Sequence, residues 1–459
     1  MISGTSSRQD LPLTSRDPED ILAYVLGQEI RVEQFVCQAR SLSGGLPRRR
    51  HAINLCQDRY AFALGFFGAI LAGHTNLLPP NHLRATVEDL LVRYPEAYVI
   101  SDQDGPDRWP ASADPRPAMI AAGPLGEIPW IAPDHLACIV FTSGSTGPSK
   151  PIEKPWRTLV ESSRINAREL GLDTGHHNLV ATVPAQHMYG LETSILLPLF
   201  APVAVSSEHP FLPHEVSEAL SRVPAPRVLV STPVHIRAIC GQGCSLPSIT
   251  RVISATAPLD RNLADQLESR HDTRVLEIYG CSETGCLARR DPVRAPAWQP
   301  FQEFRIRRSG EQILASADHL PREFRLHDRM KFRSDGRFDL IGRSEDLVNI
   351  AGKRASLSDL NRRLLSLPGV HDGAIFEPQG PVNGKVRRLA AVVVAPGLSV
   401  GEIRSHLRTE VDTAFIPRPI RKVSSLPRSP TGKLTRQDLV RLLNTEGKEK
   451  ATEPVEERA

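Results

Sequence analysis

The stretch Phe-Thr-Ser-Gly-Ser-Thr-Gly-Pro-Ser-Lys-Pro, residues 141–151, decides the fold that this chain is expected to adopt. It follows the apolar run Leu-Ala-Cys-Ile-Val-Phe at residues 136–141, which predicts a buried strand. Glycines let the backbone approach an anion closely, and consecutive N–H groups and hydroxyls can surround phosphate oxygens. Lys150 adds a positive charge to the same loop. The pattern therefore predicts a phosphate-binding loop after a strand, with a plain Ser/Gly-rich turn as the alternative.

The spacing within the stretch excludes a Walker A loop. That motif requires four residues between its first glycine and its Gly-Lys pair, which Ser or Thr then follows. Here Gly144 and Gly147 are three positions apart, and Pro151 follows the lysine. A proline at that position also argues against the usual helix start after a phosphate loop.

Composition indicates a multidomain globular protein. A chain of 459 residues is too long for one ordinary core, and 40% hydrophobic with 24% charged residues is typical of soluble proteins. A net charge of +4 does not argue for nucleic-acid binding. The seven cysteines lack metal-like spacing, residues 1–20 do not resemble a signal peptide, and the apolar segment 61–73 is too short to span a bilayer. We therefore expect a cytoplasmic protein that binds neither nucleic acid nor membrane.

Strands and helices alternate along the first part of the chain, which predicts an α/β fold of layered sheets with much parallel pairing. Residues 101–133 lack periodicity and predict a long surface connection. Helices are expected at 18–42, 58–73, 156–170, 189–199, 213–222 and 260–269, and strands at 77–78, 136–141, 178–183, 203–206, 227–231, 250–254 and 274–278.

The pattern changes beyond residue 305. Short β segments at 304–307, 311–316 and 337–341 predict a small β-barrel-like section that closes a large N-terminal domain, residues 1–342. Residues 343–444 predict a small, mobile C-terminal α+β domain, and the polar tail 445–459 is expected to be disordered. Within the small domain we expect helices at 356–366 and 400–413 and strands at 372–377 and 388–395.

A second chemical signal is Ile-Tyr-Gly-Cys-Ser-Glu-Thr-Gly at residues 278–285. Glu283 follows a predicted strand, and open α/β sheets bind ligands at the carboxyl ends of their strands. A carboxylate beside a triphosphate is well suited to hold Mg²⁺. Tyr279 could stack on a base or line a pocket, although a structural Tyr-Gly turn is the plainer interpretation.

Two further segments carry polar residues in turns. Asp328 precedes a turn and could accept hydrogen bonds from both ribose hydroxyls. Lys433 lies on a Gly-bearing turn near the end of the chain, where a lone lysine is ordinarily a solvated surface residue. Five histidines are interpreted as surface or core residues rather than metal ligands: His176, His177, His209, His214 and His235.

In this order, the four segments resemble the adenylate-forming superfamily, which contains acyl- and aryl-CoA synthetases, luciferases and the adenylation domains of peptide synthetases. The resemblance covers roughly residues 55–440 and implies ATP and Mg²⁺ as cofactors. It departs from the family pattern at Leu326-His327, where Thr-Gly is usual, and at Glu345, where the hinge residue is usually Asp or Lys. The segment before the phosphate loop is shorter than in many relatives, which suggests a trimmed N-terminal subdomain.

The resemblance assigns roles residue by residue. It implies that Lys433 is the catalytic lysine, acting with Thr142, Glu283 and His187, and that Glu283 binds the metal. Nucleotide binding is implied for Ser143, Gly144, Ser145, Thr146, Gly147, Lys150, Ala255, Thr256, Tyr279, Gly280, Cys281, Ser282, Asp328 and Arg343. The acyl pocket is implied for His187, Tyr189, Gly190, Ala255, Gly280 and Gly285, the thiol tunnel for Gly352 and Arg354, and the hinge for Glu345.

The implied reaction is ATP-dependent adenylation of a carboxylic acid with release of pyrophosphate, followed by transfer to the phosphopantetheine thiol of an acyl carrier protein. Free coenzyme A is the alternative acceptor, and a non-catalytic nucleotide-binding protein is a further alternative. Residues 341–459 hold 20 Lys and Arg against 14 Asp and Glu, so their +6 leaves −2 for the rest of the chain. A basic C-terminal domain suits an acidic carrier protein, with Arg387, Arg388, Arg404 and Arg408 as candidate contacts.

One subgroup of the superfamily matches best. The short chain, the run at 282–290 and Trp298 are most similar to the compact ligases of aryl-polyene and xanthomonadin-type pigment pathways. That resemblance implies a hydroxybenzoate-like acid as substrate.

Overall fold

The structure is a computed structural model. It describes residues 10–104, 109, 111–121, 123, 126–141, 151–241, 244–343, 347–350, 353–378, 388–428, 432 and 434–444, with only the backbone described at residues 343, 347, 349, 353 and 354. The chain divides into two compact units between Ile341 and Gly342.

Sheets dominate the first unit. Its strands are β1 (Leu11–Pro12), β2 (Ile21–Val25), β3 (Gln28–Arg31), β4 (His51–Asn54), β5 (Thr75–Leu78), β6 (Ala97–Ile100), β7 (Ser112–Ala113), β8 (Trp130–Ile131), β9 (Leu136–Phe141), β10 (Pro151–Pro155), β11 (His177–Ala181), β12 (Val203–Ser206), β13 (Arg227–Ser231), β14 (Arg251–Ser254), β15 (Arg274–Cys281), β16 (Gly285–Asp291), β17 (Ala295–Pro300), β18 (Arg305–Ser309), β19 (Gln312–Ser316), β20 (Phe324–Leu326), β21 (Asp328–Phe332) and β22 (Phe338–Arg343). Its helices are α1 (Val32–Gly45), α2 (Arg59–Leu71), α3 (Arg84–Arg93), α4 (Arg116–Met119), α5 (Trp156–Glu169), α6 (Met188–Gly190), a π-helical turn (Leu191–Leu196), α7 (Leu197–Phe200), α8 (Pro213–Ser221), α9 (Pro233–Gly241) and α10 (Arg261–His271).

Two sheets organise this unit. The larger sheet has the strand order β21-β22-β17-β16-β15-β14-β13-β11-β12-β2-β3, and the pairs from β12 through β11, β13 and β14 to β15 are parallel. The smaller sheet has the order β10-β9-β5-β4-β6-β7. β9 and β10 pair antiparallel with Phe141 opposite Pro151, so residues 142–150 connect two adjacent strand ends. The sequence predicted that no helix begins after this loop, and a strand does begin there instead.

One hydrophobic core joins the two sheets. It includes Val140 from the smaller sheet and Val230 from the larger sheet, together with residues of α1, α2, α5 and α7. Helix α2 is apolar around most of its circumference, so it is buried on nearly every face. Phe67 of α2 packs edge-to-face against Trp156 of α5, with ring centroids 6.2 Å apart and both side chains fully buried.

Several predicted elements are confirmed. The strand at 136–141 is β9, and the helix at 58–73 is α2. Asp58 caps α2 by accepting a hydrogen bond from the Ala61 N–H at 2.8 Å, and Gly73 follows the helix at φ +78°. The predicted strand at 77–78 lies in β5, the helix at 156–170 is α5, and the strands and helices between 178 and 278 are found close to their predicted bounds.

The predicted helix at 18–42 is wrong over its first half. Residues 21–31 form a hairpin of β2 and β3, and only α1 is helical. The turn residues Leu26 and Gly27 both have positive φ, 51° and 80°, as in the type I′ turns that connect short hairpins. β2 is a strand because it pairs in parallel with β12, with Ala23 opposite Val205, a contact that helical periodicity cannot indicate.

The connection at 101–133 is not free of regular structure, because it contains β7, α4 and β8. β7 pairs with β6, and β8 pairs with β1. Nine further elements were not predicted from the sequence: β4, α3, β6, α9, β10, β16, β17, β20 and β21.

The second unit is smaller and has its own core. Its elements are β23 (Leu347–Ile350), β24 (Lys353–Ser356), α11 (Leu357–Leu365), β25 (Asp372–Phe376), β26 (Ala390–Val394), α12 (Val400–Glu410), a 3₁₀ turn (Thr413–Phe415), β27 (Ile420–Lys422) and α13 (Arg436–Asn444). Asn361 of α11 joins the helix to β25, because its side chain accepts from the Ile375 N–H and donates to the Ile375 carbonyl. The helices and strands predicted here are confirmed; β23, β24, β27 and α13 were missed.

The predicted fold class, a mixed α/β fold with a large sheet-rich N-terminal part and a smaller C-terminal part, is confirmed. The predicted tail 445–459 lies outside the described residues. Among the helices that the structure describes, none is both long and apolar enough to cross a membrane.

Candidate active site

The carboxyl ends of the parallel strands in the larger sheet gather several predicted site residues at one edge. Segment 184–190 follows β11, Ala255 and Thr256 follow β14, and the turn 282–284 follows β15. Because parallel strands end at the same edge, these segments lie close together, as open α/β sheets arrange their ligand sites. The predicted grouping is therefore a consequence of strand direction.

Tyr189 connects two of these strand ends. Its hydroxyl is directed at the carbonyl of Ser231, at the end of β13, and at the carbonyl of Ile253 in β14, at 3.1 and 2.9 Å. Burial raises the pKa of this phenol well above its ordinary value, so it remains a neutral donor. Tyr189 was predicted to line the acyl pocket, and its hydroxyl links the ends of β13 and β14.

Thr256 has an unusual backbone at the end of β14. Its φ of +80° lies in the left-handed region, which a β-branched residue rarely adopts. Such conformations persist where surrounding structure holds them and are concentrated at ligand-binding sites. The neighbouring Ala255 is buried.

Tyr279 and Asp328, which the sequence singled out separately, are joined in the structure. The Tyr279 hydroxyl donates to Asp328 Oδ2 at 2.7 Å, although the two residues are far apart in the chain. The Tyr279 ring packs against Trp298 and Phe338, with centroids 5.7 and 6.1 Å away. A rigid aromatic face and an oriented carboxylate therefore lie side by side.

Glu283 lies on the tight turn between β15 and β16, where Cys281 pairs with Gly285. Its side chain is half-buried, whereas Thr284 beside it is fully buried and donates to the Gly285 carbonyl at 3.0 Å. The Glu283 backbone carbonyl accepts a hydrogen bond from Lys154 Nζ at 2.8 Å. A partly accessible carboxylate oxygen at a strand end is a suitable ligand for Mg²⁺, which takes one or two protein carboxylates and completes its shell with phosphates and water.

Three glycines predicted to line the acyl pocket are required by close packing. A Cβ at Gly190 would overlap the Pro184 carbonyl, and one at Gly280 would overlap the Gly285 carbonyl. Gly285 has φ +72°, and a Cβ there would overlap Glu192 Oε1. Each of these glycines therefore has a structural role that does not depend on a substrate.

Two histidines, the buried His235 and the exposed His209, lie at the ends of the same strands. His235 Nδ1 is 2.9 Å from Thr232 Oγ1 and 3.3 Å from Thr182 Oγ1, while His209 Nε2 is 3.1 Å from the Thr182 carbonyl. Burial lowers the pKa of His235 to about 4, and local desolvation together with the nearby Arg59 charge lowers the pKa of His209, so both are neutral at pH 7. Their interpretation as surface or core residues agrees with these positions.

Three buried charged residues around the site were not predicted from the sequence: Arg59, Lys154 and Glu192. The Arg59 guanidinium donates to the carbonyls of Ala181 and Val183, both at 2.9 Å, and so holds the end of β11. Burial lowers its pKa to about 10. The sequence around Glu192 gives no signal of a buried charge, because the polar residues Thr193 and Ser194 follow it directly.

For most of the other predicted site residues the structure describes no side chain. Thr142, Ser143, Gly144, Ser145, Thr146, Gly147, Lys150, Glu345, Gly352 and Lys433 are outside the described residues, and Arg343 and Arg354 are described in their backbone alone. His187 is half-buried, and its carbonyl accepts from the Leu191 N–H at 2.8 Å.

Comparisons with known proteins place the chain in a family. The model of the AMP-binding enzyme family matches residues 42–304, more than half of the chain. The 4-coumarate–CoA ligase of Halorhodospira halophila is 28% identical over 69% of this chain and 80% of that protein. The 3,4-dihydroxybenzoate–[aryl-carrier protein] ligase of Bacillus anthracis is 22% identical over 65% of this chain and 72% of that protein.

A solved structure shows the same fold. The ATP-bound structure of MatB from Rhodopseudomonas palustris has a TM-score of 0.77 and 19% identity, and it covers 92% of this chain and 95% of that one. The chain belongs to the AMP-binding enzyme family and is an AMP-forming acid–thiol ligase.

Proposed function

We propose that this enzyme adenylates a hydroxybenzoate-like acid and transfers the acyl group to the phosphopantetheine thiol of an acyl carrier protein. The observation that carries the proposal is the arrangement of the Tyr279–Asp328 pair, the strained Thr256 and the Glu283 turn in one sheet. A nucleotide requires an aromatic surface, an acceptor for its ribose hydroxyls and a carboxylate for its metal, and these residues supply all three.

The proposed nucleotide site assigns a distinct task to each residue. Asp328, oriented by Tyr279, accepts hydrogen bonds from the ribose hydroxyls, and Ala255 and Thr256 flank the adenine. The loop residues Thr142 to Lys150 hold the phosphates, and Arg343 contacts the ribose and phosphate. Further contacts are assigned to Gly280, Cys281 and Ser282.

The chemical obstacle in the first step is electrostatic repulsion, because a carboxylate must approach a polyanion. We propose that Lys433 provides the cation between the acid and the α-phosphate. An oxygen of the carboxylate forms a bond to the α-phosphorus, the bond from that phosphorus to the bridging oxygen breaks, and pyrophosphate leaves with the electron pair. Mg²⁺, held by Glu283, neutralises phosphate charge when bound. Positioning and charge stabilisation by these groups supply most of the catalysis.

The second step joins the acyl group to a thiol. The thiol loses its proton to water, its sulfur forms a bond to the acyl carbon, the bond from that carbon to the phosphate oxygen breaks, and AMP leaves with the electron pair. We propose that residues 343–444 form a domain that moves about Glu345 between the two steps, since Lys433 and an incoming thiol cannot occupy the same place. Gly352 and Arg354 are proposed to border the thiol channel.

The identity of the acid and the identity of the thiol acceptor are proposed on separate grounds. His187 is proposed to gate an acyl pocket bordered by Tyr189, Gly190, Ala255, Gly280 and Gly285. The Bacillus anthracis relative is a 3,4-dihydroxybenzoate–[aryl-carrier protein] ligase, and the +6 charge of residues 341–459 suits an acidic carrier. A ligase that uses coenzyme A is the second candidate, favoured by the 4-coumarate–CoA ligase relative.

Pyrophosphate release tests the first step. We expect release with Mg²⁺, ATP and a hydroxybenzoate, in preference to fatty acids. Lys433→Ala is expected to lower the rate by about 10²–10³, the loss of one charge-stabilising group. The exposed Lys422→Ala, in the same unit, is the control. Full activity in Lys433→Ala would refute the role of that lysine, and ATP binding without pyrophosphate release would indicate a non-catalytic binder.

Adding a thiol to the same reaction identifies the acceptor. We expect acylation of a holo carrier protein at micromolar concentration, detected by the mass of the loaded protein. Conversion of coenzyme A with equal or greater efficiency would instead establish the second candidate.

A further inference from the structure

Two buried charged side chains that the proposed mechanism does not use lie on either side of the Glu283 turn. Lys154 is on β10 and Glu192 is in the π-helical turn Leu191–Leu196, and each is 1% exposed. Removing a charge from water is costly unless it is paired and hydrogen-bonded, so both require an explanation. π-Helical turns themselves are frequent at functional sites.

Lys154 contacts the turn from the opposite sheet. β10 belongs to the smaller sheet and follows the loop 142–150, whereas Glu283 lies between two strands of the larger sheet. The ammonium donates to the Glu283 carbonyl at 2.8 Å. Lys154 therefore ties the strand after the phosphate loop to the residue that is proposed to bind the metal.

Glu192 holds the other end of the same turn. Its Oε2 accepts from the Cys286 N–H at 3.0 Å, and its Oε1 accepts from Ser162 Oγ at 2.9 Å. A side chain at position 285 would overlap Oε1, and Gly285 leaves that space for the carboxylate. The turn is thus hydrogen-bonded to the Lys154 ammonium at residue 283 and to the Glu192 carboxylate at residue 286.

The two charges also act on each other. Burial lowers the pKa of Lys154 and raises the pKa of Glu192, and the opposite charge of the partner counters each shift. A hydrophobic pair could fill the same space, but it could not direct hydrogen bonds to both ends of the turn. The two charges therefore fix the orientation of the turn, which an apolar pair could not do.

We propose that Lys154 and Glu192 are positioning residues that clamp the 283–286 turn and thereby set the orientation of the Glu283 carboxylate toward Mg²⁺. This inference rests on the proposed metal-binding role of Glu283. Groups that orient a metal ligand typically change metal affinity by about 10–100-fold when they are removed. The effect should appear in metal binding and leave metal-free nucleotide binding unchanged.

The test measures metal affinity directly. Mn²⁺ is titrated into the full-length enzyme with a non-hydrolysable ATP analogue and followed by electron paramagnetic resonance. Lys154→Met and the near-isosteric Glu192→Gln are each expected to weaken Mn²⁺ binding at least about tenfold, while AMP affinity stays within about twofold. Glu277→Gln is the control, because Glu277 is another buried carboxylate of β15 but bonds to Arg290 and the Leu259 N–H.

Glu283→Gln, measured in parallel, separates the two hypotheses. If it leaves Mn²⁺ binding unchanged, the metal role of Glu283 fails and the clamp fails with it. If Glu283→Gln weakens binding but Lys154→Met and Glu192→Gln match the Glu277→Gln control, the clamp alone is refuted. In the Lys154→Met/Glu283→Gln double variant we expect no further loss beyond Glu283→Gln, because the lysine acts only through that residue. If the double variant loses more Mn²⁺ affinity than Glu283→Gln alone, the proposal is refuted. If Lys154→Met does not fold, the Mn²⁺ affinity of Glu192→Gln alone tests the proposal.

Discussion

Replacing Gly285 with alanine should destabilise the large unit far more than an ordinary glycine substitution. Gly285 has φ +72°, and its missing side chain makes room for Glu192 Oε1. A Cβ would also lie 3.1 Å from Ser162 Oγ, which already donates to that carboxylate. The added methyl group therefore acts on both the backbone and a buried hydrogen-bonded charge.

The magnitude follows from these two effects. Placing alanine in a left-handed conformation costs ~1–2 kcal/mol. Displacing the Glu192 carboxylate leaves the Ser162 hydroxyl and the Cys286 N–H buried without their acceptor, at ~1–3 kcal/mol each. Allowing for partial relaxation, we expect a total loss of roughly 3–6 kcal/mol.

Gly175→Ala is the matched control. Gly175 has φ +71°, nearly the same as Gly285, and nothing lies within 4 Å of a Cβ built there. This variant should therefore show the backbone strain alone, ~1–2 kcal/mol. Urea unfolding of both variants, followed by tryptophan fluorescence, gives the comparison. Equal losses in the two variants would refute the inference that Gly285 is required by the position of Glu192.

Two further predictions concern the nucleotide site and the buried His235. Tyr279→Phe removes the hydroxyl that bonds to Asp328, and a hydrogen bond to a charged group contributes ~1.5–3 kcal/mol, so we expect KM for ATP to rise about tenfold or more with little change in kcat. A loss confined to kcat in steady-state pyrophosphate assays would contradict this role. His235 has a folded-state pKa of about 4 against ~6.5 when unfolded, so its stabilisation is complete above pH ~6.5 and is lost as the pH falls toward 4. His235 should account for up to about 3 kcal/mol of that loss, and urea unfolding of His235→Asn between pH 7 and 4 should show a correspondingly flatter dependence.

The elements that the sequence located correctly are those whose cause is local. β9 is a short apolar run, and α2 has an Asp cap at its start and a glycine after its end. Glu283 was placed on a turn at a strand end because the apolar strand and the polar turn are adjacent in sequence. In each case the residues that determine the structure are within a few positions of one another.

The incorrect predictions depend on partners that are distant in the chain. Ile21–Val25 has spacing that also suits a helix, and it becomes a strand because β12 offers it a parallel edge. Lys154 and Glu192 were missed because nothing near them in sequence explains a buried charge. Their partners, Glu283 and Cys286, are separated from them by 129 and 94 residues.

The sequence by itself determined where strands, turns and polar motifs follow one another along the chain, since hydrophobic runs, caps and glycines act over short distances. Tertiary structure alone decided which strands become neighbours, and therefore which charges can be buried and which turns they hold. The physical reason is that a buried ion is stable only where distant segments bring a partner to it.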